Sequence, residues 1–78
     1  MKKVIIYSTP TCTYCSMAKE FMKSHGVSYT EIDVAKDLAR RKEMIEKTGQ
    51  MGVPVIDVDG MIMVGYEENK LATALGLR

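Results

Sequence analysis

Apolar residues along this chain fall into short blocks whose spacing changes from strand-like to helix-like and back. The first block, Lys3 to Tyr7, is a continuous β-branched and aromatic run. Because it shows no alternation, it predicts a strand that is buried on both faces, with a parallel neighbour and covering helices. The segment Thr9-Pro10-Thr11 ends this strand.

An amphipathic helix is predicted next, because apolar residues then recur at the three- and four-residue spacing of one helix face. These residues are Tyr14, Met17, Ala18, Phe21, Met22 and His25. Gly26 stands where a left-handed residue would end the helix. Val27 to Val34 predicts a second strand, although its alternation breaks at Thr30-Glu31.

A second helix is predicted in the middle of the chain. Asp33 and Asp37 both suit an N-cap, so the helix begins between them, runs to about Thr48 and ends at Gly49. We interpret the charged residues of segment 40–47 as its solvent-exposed face. Its narrow apolar stripe consists of Leu38, Ile45 and Thr48.

The last third of the chain predicts a hairpin and a short closing helix. Two β-rich runs, 54–58 and 61–64, are joined by Asp59-Gly60, a pair that suits a turn with positive φ at both central residues. Gly65 ends the second run. Leu71, Ala74 and Leu75 then mark the helix. The resulting order, β-α-β-α-β-β-α, predicts one α/β sandwich over residues 1–78 whose first two strands are parallel.

Composition and charge exclude several classes of function. The 78 residues are 46% hydrophobic and 27% charged, which is ordinary for a globular domain. A net charge of +1 gives no basic field for nucleic acid. No apolar run approaches the roughly 20 residues that span a bilayer, and the run after Met1-Lys2-Lys3 is too short for a signal peptide. We therefore expect a cytoplasmic monomer without membrane or nucleic-acid partners.

Cys12 and Cys15 are the only two cysteines. They close too small a ring to restrain the unfolded chain, so the pair indicates chemistry or metal binding. Cys12 falls at the start of the first helix, where free amides and the helix dipole favour a thiolate. We expect Cys12 to be the nucleophile and Cys15 to attack the mixed disulfide that forms on it.

A metal-carrier function is the alternative from another class, because two thiolates also suit Cu(I) or a site shared between two chains. Copper-carrying domains with this spacing end in a strand, whereas this chain is predicted to end in a helix. We interpret His25 as packed, or as a partner of the helix C-terminus, rather than as a ligand. The seven methionines are interpreted as filling a core with one Phe and no Trp. Metal analysis of protein purified under reducing conditions distinguishes the two functions.

Three segments resemble the glutaredoxins of the thioredoxin superfamily. They are Tyr7-Ser8-Thr9-Pro10-Thr11-Cys12-Thr13-Tyr14-Cys15, Thr48-Gly49-Gln50-Met51-Gly52-Val53-Pro54 and Val64-Gly65-Tyr66. The resemblance implies a thiol–disulfide oxidoreductase with a thioredoxin-like fold, whose four-stranded mixed sheet has its third strand antiparallel to the first. It also implies a cis bond before Pro54 and an extended disulfide substrate paired with Val53. No prosthetic group is implied, because the dithiol carries the electrons.

This sequence differs from those of glutathione-using glutaredoxins at positions that bear on the choice of electron donor. Those proteins have Pro at the position of Thr13, Lys at that of Thr9, and a Gly-Gly-x-Asp run where this chain has Gly65-Tyr66-Glu67-Glu68. Gln50 does match them. The pattern is more similar to short redoxins of the NrdH and YruB types, which a thioredoxin-reductase flavoenzyme reduces. We expect such a flavoprotein as electron donor, glutathione as the alternative donor, and a disulfide-containing protein as substrate.

The resemblance also implies a set of substrate-binding residues around the Cys12/Cys15 pair. Tyr66 has two interpretations, since its ring could contact a protein partner or close the core beneath the last helix. The expected substrate-binding residues are Thr11, Thr13, Tyr14, Gln50, Val53, Pro54, Gly65 and Tyr66.

Overall fold

The computed structural model describes residues 2–77 and contains one four-stranded sheet with helices on both faces. The predicted order of elements, and with it the thioredoxin-like fold, is confirmed. No helix among the described residues is long and apolar enough to cross a bilayer. The elements are β1 (Val4–Ser8), α1 (Thr13–Ser24), β2 (Thr30–Asp33), α2 (Leu38–Thr48), β3 (Val55–Val58), β4 (Met61–Val64) and α3 (Glu68–Ala74).

The sheet has the strand order β2-β1-β3-β4. β1 runs parallel to β2, with Ile6 opposite Glu31. β3 runs antiparallel to β1, with Ile6 opposite Ile56, and β4 runs antiparallel to β3. The parallel first pair and the antiparallel third strand are therefore as expected, and β1 lies in the interior of the sheet between two partners.

Both faces of the sheet are covered, which explains why β1 shows no alternation in sequence. Val4 and Ile6 face α1 and α3, where they pack with Phe21 and Leu71 among others. Tyr7 faces the other side, which α2 covers. The core residues on the α2 side are Tyr7, Ile32, Val34, Met44 and Val55.

The first helix and the second strand differ from their predicted bounds at the turn that joins them. β2 begins at Thr30, three residues later than predicted. The reason is that the Val27 N–H donates to Met22 O at 2.9 Å, around a Gly26 with φ of 68°. This amide closes the helix end and is not available to the sheet. On α1, the exposed side chains of Tyr14 and Met17 show that the predicted apolar face was too wide.

The second helix is capped by Asp37, one of its two candidate N-caps, but it buries a different side chain from those predicted. Asp37 Oδ1 accepts from the Arg40 N–H at 3.1 Å, and Gly49 has a φ of 72°. Leu38, predicted as part of the apolar stripe, is 67% exposed, whereas Met44 is fully buried against the sheet. The prediction of the stripe was wrong at Leu38, because packing against the sheet, and not helical spacing alone, decides which side chains of α2 are buried.

The turn of the hairpin has the backbone conformation that the sequence predicts. Asp59 and Gly60 have φ angles of 50° and 91°, as a turn with two left-handed residues requires. The Gly60 N–H also donates to Asp57 Oδ1 at 2.7 Å. This turn fixes the register of β3 against β4, in which Val58 lies opposite Met61.

Candidate active site

Three loops meet at the end of the sheet where β1 finishes and β3 begins. The Cys12 thiol points at the Val53 carbonyl, with Sγ 3.8 Å from the oxygen. The Gly65 N–H donates to the Pro54 carbonyl at 2.7 Å. These two contacts bring together the cysteine loop, the segment before β3 and the turn after β4. They are the same three segments on which the family resemblance was based.

Cys12 is the N-cap of α1. Its sulfur accepts the Cys15 N–H at 3.1 Å, and its own N–H donates to Thr9 O at 3.3 Å. The residue is half-buried, so its sulfur is supported by a helix-terminal amide and can still be reached from solvent. An amide aimed at a sulfur, at the positive end of a helix dipole, stabilises negative charge on that sulfur.

Cys15 lies one turn further along α1, and it is fully buried. Burial raises the pKa of the Cys15 thiol to about 12, and its hydrogen bond with Cys12 acts in the same direction. Cys15 is therefore protonated at neutral pH. Both cysteines are free thiols in the structure. The two thiols thus differ in access, because Cys12 is half-buried and Cys15 is fully buried.

The segment before β3 contains the proline that the resemblance singled out. The Val53–Pro54 peptide bond is cis. Pro54 is buried and Val53 is half-buried, and the Val53 carbonyl faces Cys12. The backbone of residue 53 is accordingly the main-chain surface next to the accessible sulfur.

Gly65 and Tyr66 directly follow β4, and the Gly65 hydrogen bond to Pro54 places them beside the segment before β3. Gly65 has a φ of 83°, and an added Cβ would meet no atom within 4 Å, so its backbone conformation is what favours glycine here. Tyr66 is half-buried, packs against the core beside α3, and places its ring centroid 6.3 Å from that of Phe21. Burial raises the pKa of Tyr66. Of its two interpretations, closing the core is the one that has direct contacts in the structure.

Gln50 does not point into the cysteine groove. Its Oε1 accepts the Gly52 N–H at 2.5 Å and its Nε2 donates to Gly52 O at 3.2 Å, so its amide closes a turn within its own loop. That turn leads directly into Val53. Three further candidates, Thr11, Thr13 and Tyr14, are exposed on the rim around Cys12.

Two polar networks near the sheet were not predicted from the sequence. Behind Cys15, Lys19 Nζ lies 2.7 Å from Glu31 Oε2, which also accepts from the buried Ser8 hydroxyl at 3.0 Å. Two features of the sequence could have revealed this cluster. Lys19 follows Cys15 by four residues, and Glu31 sits where the alternation of the second strand breaks.

The second network lies on the opposite face and joins α2 to the sheet. The buried Tyr7 hydroxyl donates to Glu43 Oε2 at 2.8 Å and accepts from Lys47 Nζ at 3.1 Å. Burial raises the pKa of Tyr7. Lys47 also pairs with Asp57 at 3.5 Å. These contacts link α2, β1 and β3 and contain neither cysteine.

Two concave features in the described part of the chain contain neither cysteine. The larger cavity, about 630 Å³, lies between β4 and α3, and Gly65 is its only lining residue from the candidate site. Among residues 2–77, no group of three or more His, Cys, Asp and Glu side chains is placed to hold a metal ion. The two free thiols, Cys12 and Cys15, are the reactive side chains that the three loops bring together.

A dithiol at the start of the first helix, next to a proline-led strand in a β2-β1-β3-β4 sheet, defines a thioredoxin-like redox protein. Residues 4–63 match the family model for glutaredoxin, and the chain belongs to that family. Glutaredoxins are thiol–disulfide oxidoreductases, and this chain is one of them.

Several known proteins are similar over most of the chain. A glutaredoxin-like 8.6 kDa protein of the rubredoxin operon of Clostridium pasteurianum is 44% identical, over 85% of this chain and 88% of its own length. Glutaredoxin 3 of Escherichia coli is 38% identical, over 87% of this chain and 82% of its own length. The glutaredoxin-like protein NrdH of Lactococcus lactis is 31% identical, over 88% of this chain and 94% of its own length. The crystal structure of a mutant thioredoxin-like protein superposes with a TM-score of 0.92 at 35% identity, covering all of both chains.

Proposed function

We propose that this protein reduces disulfides of other proteins through a two-step exchange at Cys12 and Cys15. The Cys12 thiolate attacks one substrate sulfur, the substrate disulfide breaks, and a mixed disulfide forms. The Cys15 thiol then loses its proton and attacks Cys12 Sγ, which releases the second substrate sulfur as a thiol. Two electrons leave the protein dithiol, two protons end on the substrate sulfurs, and a Cys12–Cys15 disulfide remains.

The observation that supports these roles is the difference between the two sulfurs. Cys12 is half-buried and accepts a helix-terminal amide, whereas Cys15 is fully buried and its pKa is raised. A bulky disulfide can approach only the first of them. Cys15, one turn away on the same helix, can reach a mixed disulfide on Cys12 without meeting solvent. Glutaredoxins act without a prosthetic group, and this division of roles needs none.

The substrate is proposed to bind as an extended strand along Val53 and Pro54. The Val53 carbonyl already lies beside Cys12, so a strand paired with that backbone would bring its own cystine to the attacking sulfur. Gly65, Thr11, Thr13 and Tyr14 would form the rim of the groove. Gln50 would act indirectly by holding the turn before Val53, and Tyr66 would offer the partner only the edge of a packed ring.

The electron donor is proposed to be a thioredoxin-reductase-type flavoprotein, with the protein working in the cytoplasm as a monomer. The relatives do not decide between donors, since they include both glutaredoxin 3 and NrdH. The site residues favour the flavoprotein. Thr9 supplies no cation beside Cys12 for a glutathione carboxylate.

A coupled assay with NADPH tests this choice. We expect rapid reduction of the oxidised protein by thioredoxin reductase, and a rate at least about tenfold lower with glutathione and glutathione reductase. Adding a cation with Thr9→Lys should raise only the glutathione-driven rate, by about two- to fivefold, as for an exposed ion pair. The matched control is Ser28→Lys, which adds the same charge at an exposed position before β2. Equal rates with both donors would contradict the proposed donor.

A further inference from the structure

The second step of the proposed exchange requires a buried thiol to ionise. Cys15 must lose its proton before or as it displaces the substrate sulfur, because the thiolate is the attacking species. Full burial works against that ionisation. Any fixed positive charge close to Cys15 would therefore act on this step and leave the first attack unchanged. The inference below rests on the proposed function and concerns this step alone.

Lys19 is the cation that the fold places in that position. It lies four residues after Cys15 on α1, so the two side chains project from the same helix face, one turn apart. The Lys19 side chain is only 22% exposed, and its Nζ lies 2.7 Å from Glu31 Oε2. The ammonium group is thus held beside the sheet and does not extend freely into solvent.

The anchor for Lys19 is built into the sheet. Glu31 lies on β2 opposite Ile6, at the edge of the face that α1 covers. An apolar residue would be ordinary there, but Glu31 accepts from Lys19 and from the Ser8 hydroxyl, which is 1% exposed. A carboxylate that is bonded from both sides fixes the position of the ammonium group more narrowly than a surface ion pair does.

The electrostatics of the cluster agree with this geometry. Burial is the main cause that raises the pKa of Cys15, and Lys19 acts against it, whereas Cys12 adds to it. The hydrogen bond to Glu31 raises the pKa of Lys19, with smaller contributions from Tyr29 and Cys15, so Lys19 stays charged. The Lys19 hydrogen bond lowers the pKa of Glu31, which makes that carboxylate an anchor and a poor base.

We propose that Lys19 is a positioning residue for resolution: its ammonium group, anchored by Glu31 and Ser8, stabilises the thiolate that forms on Cys15. In this step the S–H bond of Cys15 breaks and its proton passes to solvent or to the departing substrate sulfur. The Cys12–Cys15 bond forms as the bond between Cys12 and the substrate sulfur breaks. Lys19 exchanges neither electrons nor a proton, so the balance of the reaction is unchanged.

A single-turnover reaction with an aromatic disulfide separates the two steps. Reduced protein mixed with one equivalent of 5,5′-dithiobis(2-nitrobenzoate) releases one thionitrobenzoate when Cys12 attacks and a second when Cys15 resolves. In Lys19→Met we expect an unchanged first phase and a second phase about five- to tenfold slower at neutral pH, as for the loss of one nearby unit charge. The deficit should stay the same across the neutral range, because burial holds the pKa of Cys15 at about 12, far above that range.

Two controls separate electrostatics from structure. Lys19→Arg keeps the charge and should restore the second phase to within about twofold. Lys42→Met removes an exposed charge from α2, the helix on the other face of the sheet, and should leave both phases unchanged. If Lys19→Met does not fold, Lys19→Gln, which can still bond Glu31, provides the same test.

An unchanged second phase in Lys19→Met, an equally slow second phase in Lys19→Arg, or equal slowing in Lys42→Met would each overturn the proposal. A wild-type protein that shows no rapid first phase at Cys12 would instead overturn the proposed function. The two failures are therefore seen in different phases of one trace.

Discussion

Cys12→Ser is expected to lower the rate of protein-disulfide reduction at least about a thousandfold, because a serine hydroxyl neither ionises near neutral pH nor forms a mixed disulfide. The helix-terminal amide that reaches Cys12 Sγ in the structure would then face a poor nucleophile. Insulin reduction with dithiothreitol as electron source measures the effect, with the uncatalysed rate subtracted. Buried Cys15 should not substitute for the lost sulfur, since a protein disulfide cannot reach it.

The matched control is Ser16→Ala, which changes an exposed hydroxyl on the same turn of α1. Its activity should stay within about twofold of wild type, as for a surface substitution that removes one weak hydrogen bond. Circular dichroism should show that Cys12→Ser is folded. A folded Cys12→Ser protein that keeps a tenth or more of the activity would show that the attacking sulfur has been assigned to the wrong residue.

Cys15→Ser is expected to stop the reaction halfway and to accumulate a mixed disulfide on Cys12. The first attack needs only the accessible sulfur, whereas release of the substrate needs a second thiol one turn along the helix. Intact mass spectrometry under non-reducing conditions should show one substrate chain attached per protein. Turnover without added small thiols should fall about a hundredfold or more, because no internal thiol can release the substrate.

Two results would count against that assignment. One is a Cys15→Ser protein that turns over like wild type without small thiols, which would mean that a thiol of the substrate or of the reductase, and not Cys15, resolves the mixed disulfide. The other is an adduct that also forms in Cys12→Ser, which would place the capture at another group. Adding dithiothreitol should release the trapped substrate and confirm that the link is a disulfide.

Features set by neighbouring residues could be predicted from the sequence. The Asp59-Gly60 turn follows from the rarity of residues that accept positive φ. The N-cap of α2 at Asp37 and its end at Gly49 are equally local, since each is made by a side chain or a backbone preference within one turn. The placement of Cys12 at the start of α1 belongs to this class, and it was the prediction on which the function depended.

Features set by packing between distant elements were predicted less well. Helical spacing could not show that α2 would bury Met44 and expose Leu38, because the docking angle depends on the sheet beneath. β2 lost its first three residues to the turn after α1, where the Val27 amide bonds the helix end. In both cases a local pattern allowed two outcomes, and tertiary contacts selected one of them.

The same division holds within the candidate site. The sequence identified the two cysteines and the three segments that meet around them. It did not show that Gln50 would bond within its own loop, and it left open whether Tyr66 would contact a partner or pack on the core. Nor did it reveal Lys19 and Glu31, which are 12 residues apart and meet only because β2 lies beside β1 under α1. The break in alternation at Glu31 was visible and proved to be the local sign of that contact.

The difference between the two sulfurs is the central claim, and site-resolved alkylation of the reduced protein tests it most directly. Iodoacetamide is added in small excess at neutral pH, and peptide mass spectrometry follows carbamidomethylation at each position with time. The account predicts rapid labelling of Cys12 and at least about a hundredfold slower labelling of Cys15 in the folded protein, with the difference lost in denaturant. Equal labelling of both cysteines in the folded protein, or faster labelling of Cys15, would contradict it.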